Sequence, residues 1–472
     1  MTPLPQPHAF APERAILALG DAFYDKVMAA RFPEQKLRFR NQRKAEAIGL
    51  GYLDDAQWLA HFARFDALPG SLETPLALRY HGHQFRSYNP EIGDGRGFLF
   101  AQLRHFDGRL LDLGTKGSGR TPWSRFGDGR LTLKGGVREV LATEMLEVLG
   151  VDTSKSFSLV ETGEALERND EPSPTRSAVL VRLQHSHIRI GTFQRLATLG
   201  ESDNLTRLTS YCLEHYFRNA GASTDGPLRL LEHVGKACAR LAASYIAAGF
   251  VHGVLNSDNI AITAQSFDYG PWRFTPYWDP AFTAAYFDHG GLYAFGRQAE
   301  AIHWNLARLA EALSLVAPVE SLRAPIERFP GDFTDALEVA IAGRLGVATG
   351  GAGLLTAVDK ALSGQGVGID RFFFDWRGGA QRSTSPAHSV YESAEFADFR
   401  AAIAEHEALP GALDHTYWAD DGPQSMHIDE VEAIWTRIVD EDDWSMFEAK
   451  IAAIQRAGEA HCLTGSGKNG GS

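Results

Sequence analysis

Hydrophobic spacing divides the chain into a front half of short β-like runs and a back half of amphipathic helices. Leu231, Val234, Cys238, Leu241 and Tyr245 recur at i, i+3, i+7, i+10 and i+14, and Ile302, Leu306, Leu309, Leu313 and Val316 follow much the same spacing. Each series predicts a helix with one buried face. Val137, Leu141, Met145 and Val148 predict another over 136–149, stopped by Gly150. Apolar runs of a different kind flank it: GFLFAQL (97–103), LLDLGTK (110–116) and AVLVRL (178–183), with turn signals such as Asp107-Gly108 and Asp128-Gly129 nearby. These read as strands. Residues 1–75 read as a helical extension, 76–190 as a β-rich, Gly-rich lobe and 191–320 as a helical lobe. A further helical, acidic extension spans 321–464, and the GSGKNGGS of 465–472 reads as a flexible tail. The expected fold is therefore α+β and bilobal, with the division near residue 190.

Composition narrows the function classes. The 472 residues carry 46 Lys+Arg against 59 Asp+Glu, a net charge of −13, which argues against general nucleic-acid binding but permits a local basic pocket. The longest uncharged run, Leu241 to Ser257, is too short and too polar to span a membrane. The N-terminus has no basic start followed by an apolar stretch, so a cytoplasmic protein without a membrane partner is expected. Cys212, Cys238 and Cys462 make neither a disulfide framework nor a zinc site by their spacing.

Between the helices of the back half lies VHGVLNSDNIAITAQSFDYG, residues 251–270. Phosphoryl-transfer enzymes of the kinase class use H-R-D-x-x-x-x-N followed by D-F-G, in which the first Asp is the base and the Asn and last Asp hold Mg²⁺. Here His252-Gly253 is kept, Asn259 stands at the metal position and Asp268-Tyr269-Gly270 stands where D-F-G belongs. The catalytic Asp position is Val254, which cannot accept a proton; Asp258 is the other carboxylate of the loop. A bland reading exists for Asp258 or Asn259 alone, since such loops use Asp and Asn to bond local backbone. It explains the ordered set of His252, Asn259 and Asp268 less well.

Two more segments bear on the same chemistry. In residues 93–141, Gly93, Gly95, Gly117, Gly119, Gly127 and Gly129 are candidate phosphate-cradle positions, because glycine lets backbone N–H groups approach closely. Hairpin turns use the same residues. Lys116 ends a β-like run, and Glu139 in the following helix is its candidate ion-pair partner. Arg182 and Arg189 follow the AVLVRL strand, where a kinase-like lobe keeps an apolar slot for adenine; two arginines there suit a polyanion better than a base. Surface arginines with buried stems are the alternative.

The segments YHGHQFRSYNPEIGDGR, LGTKGSGRTPWSRFGDGRLTLKGGVRE, VLVRLQHSHIRIGTFQ, HGVLNSDNIAITAQSFDYGP and FGRQAEAIHWNLARLAEAL, in this order, closely resemble the selenoprotein O family. The resemblance implies a protein-kinase-like fold and a protein adenylyltransferase that binds Mg-ATP end for end relative to kinases and transfers AMP to Ser, Thr or Tyr hydroxyls of proteins; some self-modification is expected beside it. It implies that Gly93, Gly95, Arg96, Lys116, Asp128, Gly129, Arg182, Arg189 and Asp268 contact the nucleotide, and that Glu139 pairs with Lys116. Asn259 and Asp268 would ligate Mg²⁺, or Mn²⁺, which suits the same oxygen donors, and Asp258 would accept the proton. Arg86, Gln102 and Lys134-Gly135-Gly136 depart from the family's usual Gly, Glu and Arg-Ser-Ser, and Cys462 stands alone where many members end in a cysteine or selenocysteine cluster. Two other readings of the motifs stay open here: an atypical kinase with Asp258 as base, and an inactive nucleotide-binding pseudokinase scaffold.

Overall fold

The computed structural model describes residues 9–462 apart from 170, 218–224, 351–352 and 365. The expected tail over 465–472 and the side chain of Cys462 lie outside the described residues. In chain order the front half holds strands β1 (Pro12–Glu13), β2 (Tyr24–Lys26), β3 (Lys36–Arg40), β4 (Leu76–Leu78), β5 (Gly82–Gln84), β6 (Ser87–Asn89), β7 (Leu99–Arg104), β8 (Leu110–Lys116), β9 (Leu131–Thr132), β10 (Lys155–Leu166) and β11 (Thr175–Gln184). Nine of these form one antiparallel sheet in the order β2-β4-β7-β8-β11-β10-β3, with β1 added on β7 and β9 on β11; β5 and β6 make a separate hairpin.

Helices cover both faces of the sheet, which is why AVLVRL reads as a continuous apolar run rather than an alternating one. Val179, Val181 and Leu183 face the cluster of Trp58, Phe62 and Phe157 beneath α1 (Gln42–Ala47) and α2 (Asp55–Phe62). Ala178 and Leu180 face the opposite way, toward Val137, Val140 and Leu141 of α3 (Leu133–Val148). Arg182 lies two residues after Leu180 and so shares the α3 side of the strand. The Thr132 hydroxyl caps α3 by accepting from the Gly135 amide at 3.1 Å, and the helix ends before Gly150, which takes φ +86°. Gly136 lets α3 approach closely, since a Cβ there would stand 2.4 Å from Leu159 Cδ1.

The opening segment corrects the helical expectation for 1–75: alongside α1 and α2 it contributes β1, β2 and β3 to the sheet. In KLRFR (36–40) every second residue is basic, the period of a strand at a sheet edge. The charges of this edge are answered from far along the chain. Arg38 pairs with Glu161 at 2.6 Å and with Asp442 at 2.8 Å, and Lys36 reaches Asp442 at 3.0 Å.

The back half is helical, as its periodicity predicts. It comprises α4 (Ile190–Thr198), α5 (Ser202–Tyr216), α6 (Gly226–Ala247) and α7 (Gln298–Leu313). Leu231, Val234, Cys238, Leu241 and Tyr245 of α6 and Ile302, Leu306, Leu309 and Leu313 of α7 are buried in one core with the inner face of α3. Strands β12 (Phe250–Val251) and β13 (Arg273–Phe274) bracket the polar loop. The last part runs from α8 (Arg323–Leu345) through short helices α9–α12 (Leu354–Leu362, Ile369–Asp375, His388–Tyr391, Ala397–Ile403) to α13 (Ile428–Glu441) and α14 (Ser445–Cys462). Helix α8 packs on α6, while α13 and α14 return to pack on α3. Lys134 at the start of α3 meets Glu432 of α13 at 2.7 Å. The C-terminal extension thus braces both lobes. No helix of the described residues is long and apolar enough to cross a membrane.

Candidate nucleotide site

A cavity of about 660 Å³ opens between the sheet and the polar loop. Its walls bring together Gly93, Gly95, Arg96, Lys116, Asp128, Gly129, Arg182, Arg189, Asp258 and Asp268, residues spread over most of the first 270 positions. Lys116 ends β8 directly opposite Leu180 of β11, which sets it beside Arg182 on the α3 side. From α3, the fully buried Glu139 accepts from Lys116 Nζ at 2.5 Å through one oxygen and from Arg182 Nη1 at 3.2 Å through the other. Glu139 does not itself line the cavity; it holds two cations from behind.

Asp268 approaches the same cations from the polar loop, 2.8 Å from Lys116 Nζ and 3.6 Å from Arg182 Nη1. Burial alone would raise its carboxyl, but the charges of Lys116, Arg182, Arg96 and Arg189 hold it well below the usual carboxylate range. Its backbone takes φ +63°, a left-handed conformation that costs an aspartate on the order of 1 kcal/mol. His252 supports the turn by a 3.0 Å hydrogen bond between Nε2 and the Phe267 carbonyl.

Asp258 lies in the single helical turn Ser257–Asn259. Burial pushes its carboxyl up to about 6, against the Arg189 guanidinium that pulls it down, while Asp268 adds to the rise. Its Oδ1 is buried with no hydrogen-bond partner. The β5–β6 hairpin closes on this turn: a Cβ at Gly82 would stand 2.9 Å from Asp258 Oδ1, and the His83 amide donates to Ser257 Oγ at 2.7 Å. Asn259 is half-buried and does not line the cavity; its Nδ2 donates to the Val254 carbonyl at 3.0 Å, which leaves Oδ1 as the atom available to a cation.

Arg189 reaches the cavity from the start of α4. It donates to the Asp258 backbone carbonyl at 3.0 Å and to Asp94 Oδ1 at 3.1 Å, and its guanidinium lies over the rings of Tyr80 (4.4 Å) and Phe267 (4.8 Å). Asp94 and these two rings were not legible as site residues. The available signal was a carboxylate between two candidate glycines, but its partner is 95 positions away.

The glycines serve packing as much as ligand access. A Cβ on Gly93 would stand 2.5 Å from Trp123 Cγ, and one on Gly129, at φ +72°, would stand 2.3 Å from the Gly119 carbonyl. Asp128 is held at the cavity rim by Arg168, with Nη1 2.8 Å from Oδ2 and Nη2 3.2 Å from Oδ1. The family departures are also accommodated. Arg86 pairs with Glu300 at 3.0 Å, and buried Gln102 bridges Asp112 (2.8 Å) and the Ile16 amide (2.7 Å).

A cleft in which seven Lys and Arg side chains meet five carboxylates, one of them held ionised, suits an enzyme that handles nucleoside polyphosphates; this protein is a nucleotidyltransferase on an α+β fold with a sheet-rich front half and a helical back half. The family model described as protein adenylyltransferase SelO matches residues 8–455, and the chain belongs to that family. A protein from Gloeobacter violaceus named protein nucleotidyltransferase YdiU is 43% identical over 464 residues, covering 94% of this chain and 95% of its own. Proteins of the same name from Synechocystis (48% identical, 71% of each chain) and Trichodesmium erythraeum (43% identical, 92% and 96%) are similar relatives. Among solved structures, ROP2 from Toxoplasma gondii, titled a virulence factor with a protein-kinase fold and no enzymatic activity, aligns with a TM-score of 0.24. It is 12% identical over 57% of this chain and 84% of its own, a likeness too low to bear on the fold.

Proposed function

We propose that the protein transfers AMP from Mg-ATP to Ser, Thr or Tyr hydroxyls of proteins, its own included, and that ATP enters reversed relative to protein kinases. The carrying observation is the Arg182–Arg189 pair on the inner wall, where a kinase-like lobe otherwise keeps an apolar adenine slot. Arg182 is 3% exposed and Arg189 6%, so both charges are desolvated, and a polyanion suits this wall better than a base does. In the reversed pose the terminal phosphates meet these arginines.

In this reading Lys116, braced by Glu139, neutralises phosphate charge. The acceptor hydroxyl oxygen bonds to the α-phosphorus, the α–β phosphoanhydride breaks, pyrophosphate departs and the hydroxyl proton passes to Asp258. An upward-shifted carboxyl is suited to that task, because it is ionised at neutral pH yet basic enough to take a proton. Val254 then marks a change of use rather than decay, since the kinase base position no longer faces the reacting phosphorus.

The residues fit a hard divalent cation. Asp268 is held ionised and Asn259 keeps an oxygen free, and oxygen donors of this kind suit Mg²⁺ or Mn²⁺ alike. When bound, such an ion would be held by Asn259 and Asp268 and would offset charge on the phosphates.

The test uses ATP labelled at the α-phosphate in one reaction and at the γ-phosphate in another, with Mg²⁺ and a generic protein acceptor. Label from the α-position is expected on protein, and is expected to vanish in Lys116→Ala. Protein labelled only from the γ-position would make the enzyme a kinase with Asp258 as base. No label from either, with ATP still bound, would make it a scaffold.

A further inference from the structure

The cavity has two chemically different ends. At one end lie the buried cations Lys116, Arg182 and Arg189; at the other lie the loop 121–130, with Arg125 and Arg130, and Glu167 and Arg168 from the β10–β11 connection, where Arg130 pairs with Glu164 and Arg168 with Asp128. With its phosphates at the first end, as the proposed reading has it, a nucleotide leaves its base at the second. There Phe126 lines the cavity with its ring fully exposed (103% of the reference area), more exposed than any other large hydrophobic side chain among the described residues. A phenyl held in water beside an open cavity forgoes burial that a planar aromatic ligand would supply.

The backbone around Phe126 is anchored on both sides and sparsely bonded between. On one side the loop is anchored: Thr121 Oγ1 donates to the Asp94 carbonyl at 2.6 Å and Ser124 Oγ to the Gly95 carbonyl. On the other, Asp128 is clamped by Arg168. Between them residues 125–127 keep a single backbone bond, from the Gly127 amide to the Ser124 carbonyl at 2.7 Å. Arg125 sits at φ +51°, a left-handed conformation that is strained for arginine.

We propose that Phe126 is a nucleobase clamp: the 125–127 flap closes on nucleotide binding and lays the phenyl ring on the face of the base, while the Arg168–Asp128 pair fixes the end of the subsite. The inference rests on the reading that the cavity takes ATP with its phosphates at the Lys116 end. Stacking of this kind is tolerant of base identity, because every base has a π-face. Phe126 would therefore contribute affinity for nucleosides in general rather than choose adenine.

Two ligands separate base contact from phosphate contact: ATP, and inorganic tripolyphosphate, which has no base. Phe126→Ala removes only an exposed side chain and should fold as the wild type does. It is expected to weaken ATP binding roughly tenfold and to leave tripolyphosphate binding unchanged in calorimetric titrations. Phe126→Trp is expected to retain ATP affinity and to add a fluorescence signal that ATP quenches and tripolyphosphate does not. Equal loss for both ligands, or no loss for either, would overturn the clamp while leaving adenylyl transfer standing. If the wild-type protein bound neither ligand, the nucleotide reading of the cavity and the clamp would fall together.

Discussion

Arg189 Nη1 donates to the backbone carbonyl of Asp258 at 3.0 Å, so a buried cation of the cavity and the carboxylate proposed as base are fixed to each other through the main chain. The guanidinium also reaches Asp94, and Asp94 in turn accepts from the Leu78 amide at 3.0 Å, which anchors the pair to the sheet. A single ammonium cannot make both of these contacts while stacking between Tyr80 and Phe267.

Arg189→Lys should therefore be costly although it keeps the charge. Turnover is expected to fall roughly 10–100-fold, in line with losing one or two charged hydrogen bonds, with little change in melting temperature. Steady-state kinetics beside a thermal melt checks this; unaltered turnover would disconnect Arg189 from the reaction.

Asp258 predicts a pH profile. Its carboxyl is shifted up to about 6 and works as a base only when ionised, so activity should rise with unit slope below about pH 6 and level off above it. Asp258→Asn should lower the plateau by ~10²–10⁴ and abolish the limb. A limb that persists in the Asn variant would assign the titration to another group.

Asp268→Asn removes the carboxylate that competes with phosphate for Lys116 and Arg182, 2.8 and 3.6 Å away. Activity and the metal-dependent part of ATP binding are expected to be lost. Metal-free tripolyphosphate should bind at least as tightly as to the wild type. Calorimetry with and without Mg²⁺ distinguishes the two effects, and loss of both would point to collapse of the Lys116–Glu139 pair instead.

Asp442 ties the C-terminal extension to the sheet edge through Lys36, Arg38 and Arg176, with the last two at 2.8 Å. It also ends α13 in a left-handed conformation at φ +50°, which Asn tolerates well. Asp442→Asn should thus test the charge alone and lower the melting temperature by roughly 2–4 °C, with the difference shrinking in high salt.

The parts of the fold legible from the chain were those whose signal is local. Helices α3, α6 and α7 carry their buried face in the spacing of Val137, Leu231 or Ile302 and their successors, and Gly150 marks where α3 ends; its start at Leu133, three residues ahead of the expected one, rests on the Thr132 cap. Strands β7, β8 and β11 show as apolar runs because both of their faces are covered. Strands β2 and β3 did not show. They are only three and five residues long, and β3 is basic at every second position, so their identity depends on neighbours at Leu76–Leu78 and Lys155–Leu166.

The candidate site divides the same way. Residue types and order were enough to select Lys116, Glu139, Arg182, Arg189, Asp258 and Asp268, because their chemistry is written in short segments. Three things were decided only in three dimensions: that Glu139 serves two cations at once, that Asp94 completes the hold on Arg189, and that Phe126 stands exposed over the cavity mouth. Each depends on the distance between side chains brought together from separate elements, or on which way a ring faces water. Spacing along one segment constrains neither; the packing of sheet, α3 and polar loop around a common cleft settles both.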